Sequence, residues 1–516
     1  MSGARLLIAL AGVAALAAVI RFSGINRECL WYDEIWHVTL SSGHGSSFRD
    51  IPLNTLVDSQ TDVVHLDHAR PALEIPRRMD QVLHPPLYHL VLRAWREIAG
   101  DRPEMIRPLS AALSVIVVVL TGVVARRACG DGRAALLAAV ITALSATQLM
   151  QAQDGRGYTL LAAVGLATLL AMLGLVSRGR SMVLSIAVAI GCLAMMFTHY
   201  FAAGACTGIG LITATKLRGR ARWETLGALA VAGAMWSMLW LPTLRDQLAH
   251  VAETADVFLD DSATPGAALR TLGRLALLPT NLLADMPEGV TPLRGIIGIL
   301  LWLAMLAAAV VRPSARLPLL FAVGAVAPVL LLDLVRSTQH LYYTRYTLLA
   351  APAMWIGVAM LATPPPNRAR PTPWGLVPLV IALLAALTLP IGYEQNRADF
   401  RPMSAAIARA TSPETVLVIC SGNPRGRDAQ SAYLYTACYT RVFPRSLVIA
   451  NRPIAGDLLS QLVGRDLLLA APGERMFSVL GDGVELLETR SVEPFGAVAR
   501  ARVRAPSTNR SDPAGE

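Results

Sequence analysis

The chain has 516 residues, of which 54% are hydrophobic and 16% are charged. A soluble protein carries about a quarter charged residues, so this composition indicates that most of the chain lies in a bilayer. The net charge of +10 comes largely from arginines in short connections between apolar segments, which excludes a separate basic domain for binding nucleic acid.

Eleven apolar segments follow one another along the chain, and each approaches the roughly 20 residues that a helix needs to cross a bilayer. They occupy residues 4–20, 108–125, 134–150, 158–176, 181–198, 201–215, 224–241, 293–311, 317–334, 347–363 and 375–392. The start of the chain resembles a signal peptide, but no convincing cleavage site follows it. We therefore interpret the first segment as a retained span.

Arginine and lysine gather in every second connection, for example at 126–133 and at 216–222. Basic connections remain in the cytoplasm during membrane insertion. The pattern predicts a multi-pass protein of the cell (inner or plasma) membrane, with its N-terminus inside and its C-terminus outside.

The first outer connection, residues 21–107, is far longer than a usual connection. It contains the motif WYDEIWH at 31–37, in which Asp33 and Glu34 stand among aromatic residues. Carboxylates at a membrane surface need water, a partner or a substrate. Because neighbouring side chains diverge on a regular element, we predict that one acid acts on a substrate and the other anchors the loop. A solvated surface pair is the alternative.

The same connection continues with HPPLYHLVLRAW at 84–95. Its prolines favour the start of a helix. The segment is too short for a span. It contains Arg93, and Arg96 and Glu97 follow it directly. Counting it as a span would also place the later basic connections outside. We therefore predict a helix that lies at the outer interface.

Three further polar motifs fall at the predicted outer ends of spans: QAQDGRGY at 151–158, THYF at 198–201 and QHLYYTRY at 339–346. Arg345 suits a phosphate, because a guanidinium grips phosphate oxygens with directed hydrogen bonds. The alternatives are a local acid–arginine surface pair in the first motif, interfacial aromatics in the second and a snorkelling arginine in the third.

Residues 396–504 follow the last span and are predicted to form a small outer α/β domain, while the polar residues 505–516 are predicted to be a disordered tail. Strands are predicted at 415–420, 446–450, 466–470, 486–489 and 497–503. The stretch SGNPRG at 421–426 lacks a full glycine-rich fingerprint and is interpreted as a strand-end turn. Cys420 and Cys438 pair if this domain is oxidised, which the sequence leaves open.

A carboxylate base, a second acid and cations on one side of a membrane suit the transfer of a sugar from a lipid phosphate. The base takes a proton from an acceptor hydroxyl, and the cations stabilise the charge that develops on the leaving phosphate. Because the sugar arrives on a lipid, the reaction needs no nucleotide and no other cofactor. The acids and histidines leave a divalent metal open.

In their order and spacing, the motifs resemble those of GT-C-type membrane glycosyltransferases. The nearest groups are the protein O-mannosyltransferases and the lipid A aminoarabinose transferases, above all the bacterial dolichyl-phosphate-mannose–protein-mannosyltransferase-like relatives. The resemblance covers residues 4–395 and rests on Asp33-Glu34, the motifs at 84–88, 153–158 and 198–200, and Arg345-Tyr346 with Pro352 following. It implies an α-helical polytopic membrane protein of about 11 transmembrane helices, joined to the small outer α/β domain.

The resemblance also implies inverting transfer, with Asp33 as the base and Asp154 as a second outer-loop acid. Some relatives carry lysine at the position of His84, where it meets the lipid phosphate. The predicted catalytic residues are Asp33, Glu34 and Asp154, and the predicted substrate-binding residues are His84, Arg156, Tyr158, His199, Tyr200, Arg345 and Tyr346.

The expected partners are a polyprenyl-phosphate-linked sugar, membrane lipid, and an envelope glycan, lipid or protein as acceptor. One alternative is a secondary transporter, which places ionisable groups near the bilayer midplane, whereas the polar residues here gather at one face. A polytopic binding or assembly protein of the envelope is another, but it leaves the acidic motif unexplained. A lipid-linked oligosaccharide polymerase or ligase would share both the topology and the outer site.

Overall fold

The computed structural model describes residues 3–58, 62–79, 81–252, 266–284, 291–363, 373–393, 401–412, 414–420, 433–434, 436–440, 446–450, 454, 456–472, 484–492 and 496–503. The chain forms two compact units. The first comprises Met1–Arg27 and Met79–Gln395, and the second comprises Glu28–Arg78 and Asn396–Glu516.

Helices and strands are numbered in chain order. The helices are α1 (Gly3–Phe22), α2 (Tyr32–Ser41), α3 (Leu87–Ala99), α4 (Ile106–Cys129), α5 (Gly132–Leu144), α6 (Ala146–Ala152), α7 (Tyr158–Arg178), α8 (Met182–Thr198), α9 (Ala202–Lys216), α10 (Gly219–Ala252), α11 (Ala267–Leu283), α12 (Thr291–Val311), α13 (Arg316–Arg336), α14 (Ala350–Ala359), α15 (Val377–Thr388), α16 (Arg401–Ala410) and α17 (Gly456–Leu462). The strands are β1 (Leu56–Asp58), β2 (Val416–Cys420), β3 (Ser446–Ala450), β4 (Asp466–Pro472), β5 (Val484–Val492) and β6 (Gly496–Val503).

The first unit is a bundle of apolar helices. Each of the eleven predicted segments is helical in the structure, with the third divided between α5 and α6. By length and composition, six of the described helices can cross a membrane, namely α1, α4, α7, α10, α12 and α13. The α5–α6 pair, bent by 62°, makes a seventh if it is one span, and α8, α14 and α15 are shorter apolar helices.

The outer surface of this bundle carries large apolar side chains. Ile8 on α1 is 73% exposed, Met238 on α10 is 81% exposed and Leu306 on α12 is 60% exposed. Water would not favour so much exposed apolar surface, whereas a bilayer solvates it. The bundle therefore has the surface of a membrane-embedded protein.

The break between α5 and α6 is stabilised by a buried arginine. The last carbonyl groups of a helix lack intrahelical partners. The guanidinium of Arg21 donates to the carbonyl oxygens of Thr142 and Ala143, at 3.1 and 3.0 Å, and to the hydroxyl of Ser114 at 2.7 Å. Ser145 then caps α6 by accepting a hydrogen bond from the backbone of Gln148. After the bend, α6 leads directly into the turn that contains residues 153–157.

The second unit contains a six-stranded sheet in the order β1-β3-β2-β4-β6-β5. The central strands β3, β2 and β4 are parallel, and the others are antiparallel to their neighbours. Strands β2, β3 and β4 are apolar apart from Ser446 and Asp466 at the first positions of β3 and β4, as expected for parallel strands covered on both faces. The five predicted strands all lie at or next to their predicted positions.

The sheet also includes a strand that the sequence did not suggest. Strand β1 belongs to the first long connection and pairs antiparallel with β3, with Asp58 opposite Ser446. Residues 28–78 thus form one unit with the C-terminal region, whereas the sequence predicted them to belong to a transmembrane module of residues 1–395. Because hydrogen-bonded strands lie on one side of a membrane, an even number of crossings separates β1 from β3. The ten predicted spans between them meet this requirement.

Other expectations about the C-terminal region concern single residues. Cys420 and Cys438 are both buried, and the structure does not join them in a disulfide. The stretch at 421–426 and the tail at 505–516 lie outside the described residues.

Candidate functional site

One end of the helix bundle brings together six of the predicted site residues, which we call the phosphate cluster after the ligand that is proposed for them. They come from the start of the α3 segment, the α6–α7 turn, the α8–α9 turn and the short 3-10 turn before α14. The members are His84, Arg156, Tyr158, His199, Arg345 and Tyr346.

His199 lies at the centre of this cluster. Its ring centroid is 5.6 Å from that of Tyr158, 5.9 Å from that of Tyr346 and 6.2 Å from that of His84. Phe201 stacks on the imidazole at 5.4 Å. Four separate turns therefore present their polar rings at the same place.

The two arginines are held against aromatic faces. The Cζ atom of Arg156 is 5.0 Å from the ring centroid of Tyr158, and that of Arg345 is 5.1 Å from the ring of Tyr346 and 4.8 Å from that of Tyr343. Such contacts stabilise a cation and fix its direction. Two guanidinium groups in one half-buried cluster repel each other, and a bound anion would offset this repulsion.

Burial and the nearby arginines keep both histidines of the cluster neutral. Burial is the main cause that lowers the pKa of His84 well below its usual value, and the positive charge of Arg156 adds to it. The same two causes lower the pKa of His199 to about 3. At neutral pH each imidazole is therefore uncharged, and each ring can still donate one N–H group to an anion. His84 does not supply the permanent charge that a lysine would supply at that position.

Arg345 and Tyr158 each carry a polar atom that no described residue satisfies. Among the described residues, neither the Nε of Arg345 nor the buried hydroxyl of Tyr158 has a hydrogen-bond partner. Buried polar groups are nearly always hydrogen-bonded, and an unmade bond costs about 1–3 kcal/mol. Both atoms are therefore available to a ligand that enters the cluster.

The turn between α6 and α7 is fixed from two sides. The amide of Gln153 donates to the carbonyl oxygens of Arg21 and Ser23, at 3.1 and 2.9 Å. Gly157 lies so close to Tyr88 of α3 that an added Cβ would be 3.1 Å from the Tyr88 side chain. Asp154 is buried in this turn and interacts electrostatically with the Tyr158 hydroxyl. Asp154 thus belongs to the same group of polar side chains as Tyr158.

Tyr200, also predicted to bind substrate, points away from the phosphate cluster. Its hydroxyl donates to the side-chain oxygen of Gln247 on α10, and it accepts a hydrogen bond from Trp240 at 2.7 Å. The amide of Gln247 in turn donates to the backbone oxygens of Met79 and His84, at 2.6 and 3.4 Å. Tyr200 therefore supports the segment that carries His84 instead of lining the cluster.

Asp33 and Glu34 lie in the second unit, in the first turn of α2. The Glu34 side chain is buried, and its carboxylate accepts a hydrogen bond from the backbone N–H of Trp31 at 3.0 Å, which caps the helix. Asp33 is half-buried. The loop before α2 is held by Tyr439, whose hydroxyl accepts a hydrogen bond from the backbone of Leu30 at 2.6 Å. Of the two acids, Glu34 has the geometry of an anchor.

Sequence reasoning missed two residues that hold backbone segments of the cluster. Gln247 holds the backbone of His84, and the carboxylate of Asp333 accepts the backbone N–H groups of His340 and Leu341, at 2.9 and 2.7 Å, shortly before Arg345. An acid such as Asp333 inside an otherwise apolar span is a signal of function, and this signal was available in the sequence. The described residues contain no group of three or more histidine, cysteine, aspartate or glutamate side chains with the geometry to hold a metal ion.

No family model matches the chain, and no curated protein matches it. Its structure is similar to the crystal structure of ArnT from Cupriavidus metallidurans bound to undecaprenyl phosphate, with a TM-score of 0.54 and 13% sequence identity, over 97% of this chain and 99% of that chain. The apo crystal structure of the same ArnT gives the same TM-score and coverage at 17% identity. An oligosaccharyltransferase from Archaeoglobus fulgidus, crystallised with zinc and sulfate, gives a TM-score of 0.47 at 11% identity, over 89% of this chain and 67% of that chain. The similarity to ArnT confirms the predicted fold class, a polytopic helical membrane protein with the GT-C fold, while the number of about 11 spans stays a prediction.

Proposed function

We propose that this GT-C-fold protein is a membrane glycosyltransferase that moves a sugar from a polyprenyl-phosphate donor to an extracytoplasmic acceptor. The observation that carries the proposal is the phosphate cluster. Two guanidinium groups, two neutral imidazoles and the Tyr158 hydroxyl converge at the end of an apolar bundle. A phosphate attached to a long apolar chain matches both parts of this region, because its anion suits the polar cluster and its chain suits the apolar helices. The ArnT structure with the same fold holds undecaprenyl phosphate, which supports this class of ligand.

The reaction is an inverting displacement. The carboxylate of Asp33 takes the proton of an acceptor hydroxyl. The acceptor oxygen forms a bond to the anomeric carbon as the bond from that carbon to the phosphate oxygen breaks. Polyprenyl phosphate leaves with the bonding electron pair, and the sugar is inverted at its anomeric carbon.

The phosphate cluster has a separate role in this reaction. Arg156 and Arg345 stabilise the charge that grows on the leaving phosphate, and His84 and His199 donate N–H groups to its oxygens. The unpartnered Tyr158 hydroxyl is a further donor. Asp154 is assigned as the second acid of the site, and Glu34 holds the helix that presents Asp33. An envelope glycan, lipid or protein supplies the acceptor hydroxyl.

The proposal is tested by comparing two lipids that differ in the phosphate alone. We expect the purified protein in nanodiscs to bind undecaprenyl phosphate at least tenfold more tightly than undecaprenol, because the cluster recognises the anion and not the chain. Donors with different sugars are then incubated with envelope extracts, and the release of undecaprenyl phosphate and the anomeric configuration of the product are measured. Equal binding of the two lipids, together with no release from any donor, would contradict the proposed function.

We also propose that the second unit and the cluster end of the bundle are extracytoplasmic. The alternation of basic connections supports this orientation, and the pairing of β1 with β3 supports a shared side for residues 28–78 and the C-terminal region. In intact cells, an impermeant thiol reagent is expected to label Leu73→Cys and Ser460→Cys, which are both exposed positions of the second unit. Arg218→Cys, in a basic connection, is the matched control and is expected to react only after the cells are lysed. Protection of either outer position would overturn the orientation.

A further inference from the structure

A buried arginine lies between α12 and α13 and has no part in the reaction proposed above. Arg312 is 6% exposed, and the short turn Pro313–Ala315 that follows it packs against α4, α12 and α14. We call residues 312–315 the Arg312 turn. The 21 residues of α13 separate this turn from the segment that leads to the phosphate cluster, a helix length of about 30 Å. Arginine is rarely buried to this extent unless it is paired.

The guanidinium of Arg312 presents one edge without a partner. Its Nε and Nη2 atoms are both buried, and neither has a hydrogen-bond partner among the residues that the structure describes. The N–H groups on these two atoms point in the same direction, so together they match two oxygen atoms of one phosphate or carboxylate. Buried donors are nearly always satisfied. The edge therefore has the geometry of a binding site for an anion.

The carboxylate that attracts Arg312 does not fill this edge. Asp131, in the connection between α4 and α5, interacts electrostatically with Arg312, but its carboxylate accepts the backbone N–H of Arg133 at 2.6 Å and caps α5. A second cation lies nearby, because Arg126 and Arg312 both interact electrostatically with Cys129. The surroundings of the edge thus contain a further positive charge.

The surface directly before Arg312 is apolar. Val310 and Val311, the last two residues of α12, are 66% and 42% exposed, and α12 is long and apolar enough to cross a membrane. The Arg312 turn therefore lies where a span leaves the bilayer, at the level of the lipid head groups. A free phosphate would use the two N–H groups alone. A phospholipid would use them and the exposed apolar side chains as well.

We propose that the Arg312 turn binds an anionic phospholipid. The Nε–H and Nη2–H groups of Arg312 donate to two oxygens of its phosphate, and an acyl chain lies along Val310 and Val311. Basic connections such as this one, which we place in the cytoplasm, face the leaflet that is rich in anionic lipids. This site is separate from the phosphate cluster, so the inference goes beyond the proposed transfer reaction and does not depend on it.

The proposal is tested by native mass spectrometry of the purified protein in a neutral detergent, with lipids that carry the same oleoyl chains. We expect the parent to bind phosphatidylglycerol at least tenfold more tightly than phosphatidylcholine or dioleoylglycerol, because the first lipid alone carries a net negative charge. Inorganic phosphate at the same concentration as the phosphatidylglycerol should not displace it, because it lacks the acyl chains. Thermal unfolding of each variant is the check on folding.

Two arginines of the same connection separate a specific contact from a general effect of charge. Arg312→Gln is expected to lower the affinity for phosphatidylglycerol by about ten- to a hundredfold, the usual contribution of hydrogen bonds to a charged group. Arg312→Lys keeps the charge but not the paired N–H groups, and should recover only part of this loss. Arg316→Gln removes the same charge from an exposed side chain whose Nε already donates to the backbone oxygen of Ala309 at 2.8 Å. It should bind within about threefold of the parent.

Asp131→Asn tests whether Arg312 serves only to balance a nearby acid. Asparagine can still cap α5, and the loss of the carboxylate should leave the affinity for phosphatidylglycerol unchanged or raise it. If Arg312 serves only to pair with Asp131, Arg312→Gln and Asp131→Asn lower the unfolding temperature alike and neither changes lipid binding. That result would overturn the proposal.

Three other results would also overturn it. The first is a parent that binds phosphatidylglycerol no more tightly than the two comparison lipids. The second is an equal loss in Arg312→Gln and Arg316→Gln, which would show a general effect of charge. The third is displacement of the lipid by an equal concentration of inorganic phosphate, which would make the turn a site for free anions. If Arg312→Gln does not fold, Arg312→Lys decides, because an affinity equal to that of the parent excludes the paired contact.

Discussion

Asp33→Asn is expected to lower the rate of sugar transfer by about 10²- to 10⁴-fold, the usual contribution of a general base. Asparagine has nearly the shape of aspartate and remains compatible with the first turn of α2, so the fold should be unaffected. The variant cannot take the proton of the acceptor hydroxyl at neutral pH. Binding of undecaprenyl phosphate, measured with the same protein, should stay close to that of the parent.

The adjacent acid offers a control that differs by one position. The Glu34 carboxylate accepts the backbone N–H of Trp31, and Glu34→Gln keeps an oxygen that can accept the same hydrogen bond. This variant should lose little activity per folded molecule, while Glu34→Ala should lose about 0.5–2 kcal/mol of folding stability through the cap. Near-normal turnover of Asp33→Asn, or an equal loss in Glu34→Gln, would remove Asp33 from the role of base.

Arg345→Ala is expected to weaken the binding of undecaprenyl phosphate by about ten- to a hundredfold, because a hydrogen bond to a charged group contributes about 1.5–3 kcal/mol. The Nε of Arg345 lacks a partner among the described residues, so the guanidinium has an N–H to give without losing an existing bond. Arg345→Lys should recover part of the loss, because lysine keeps the charge without the two-pronged geometry of the guanidinium. His84→Ala should show a smaller loss, since its imidazole is neutral.

Arg180→Ala is the matched control for this experiment. Arg180 lies in the connection between α7 and α8, pairs with Glu224 on the surface, and is at the opposite end of α7 from Tyr158. Its removal should leave lipid binding unchanged, because exposed ion pairs contribute little. If Arg345→Ala binds undecaprenyl phosphate like the parent, Arg345 is a snorkelling residue of the span end, and the phosphate must be held around Arg156.

The helices and strands could be predicted because their signals are local. An apolar segment of about 20 residues becomes a helix in a bilayer, since no water is present to satisfy its backbone groups. The apolar runs at β2, β3 and β4 likewise indicate covered strands. The polar turns also stood out in the sequence, because charged and aromatic residues interrupt apolar segments there.

Tertiary structure alone decided which of these residues meet. His199 and Tyr200 are neighbours in the chain, but the turn directs one ring into the phosphate cluster and the other to Gln247, and no pattern of residue types sets that direction. The capping of α5 by Arg21 and the placing of His340 by Asp333 likewise depend on helix packing.

Tertiary structure also decided which segments of the chain belong to each of the two units. Three residues in a long connection, Leu56–Asp58, gain a strand conformation by pairing with β3. A strand this short has no periodicity of its own, and its partner lies almost 400 positions away in the chain. By itself, the sequence determined the elements and the kinds of side chain at their ends. Packing determined their neighbours, because contacts between distant segments depend on the geometry of the whole fold.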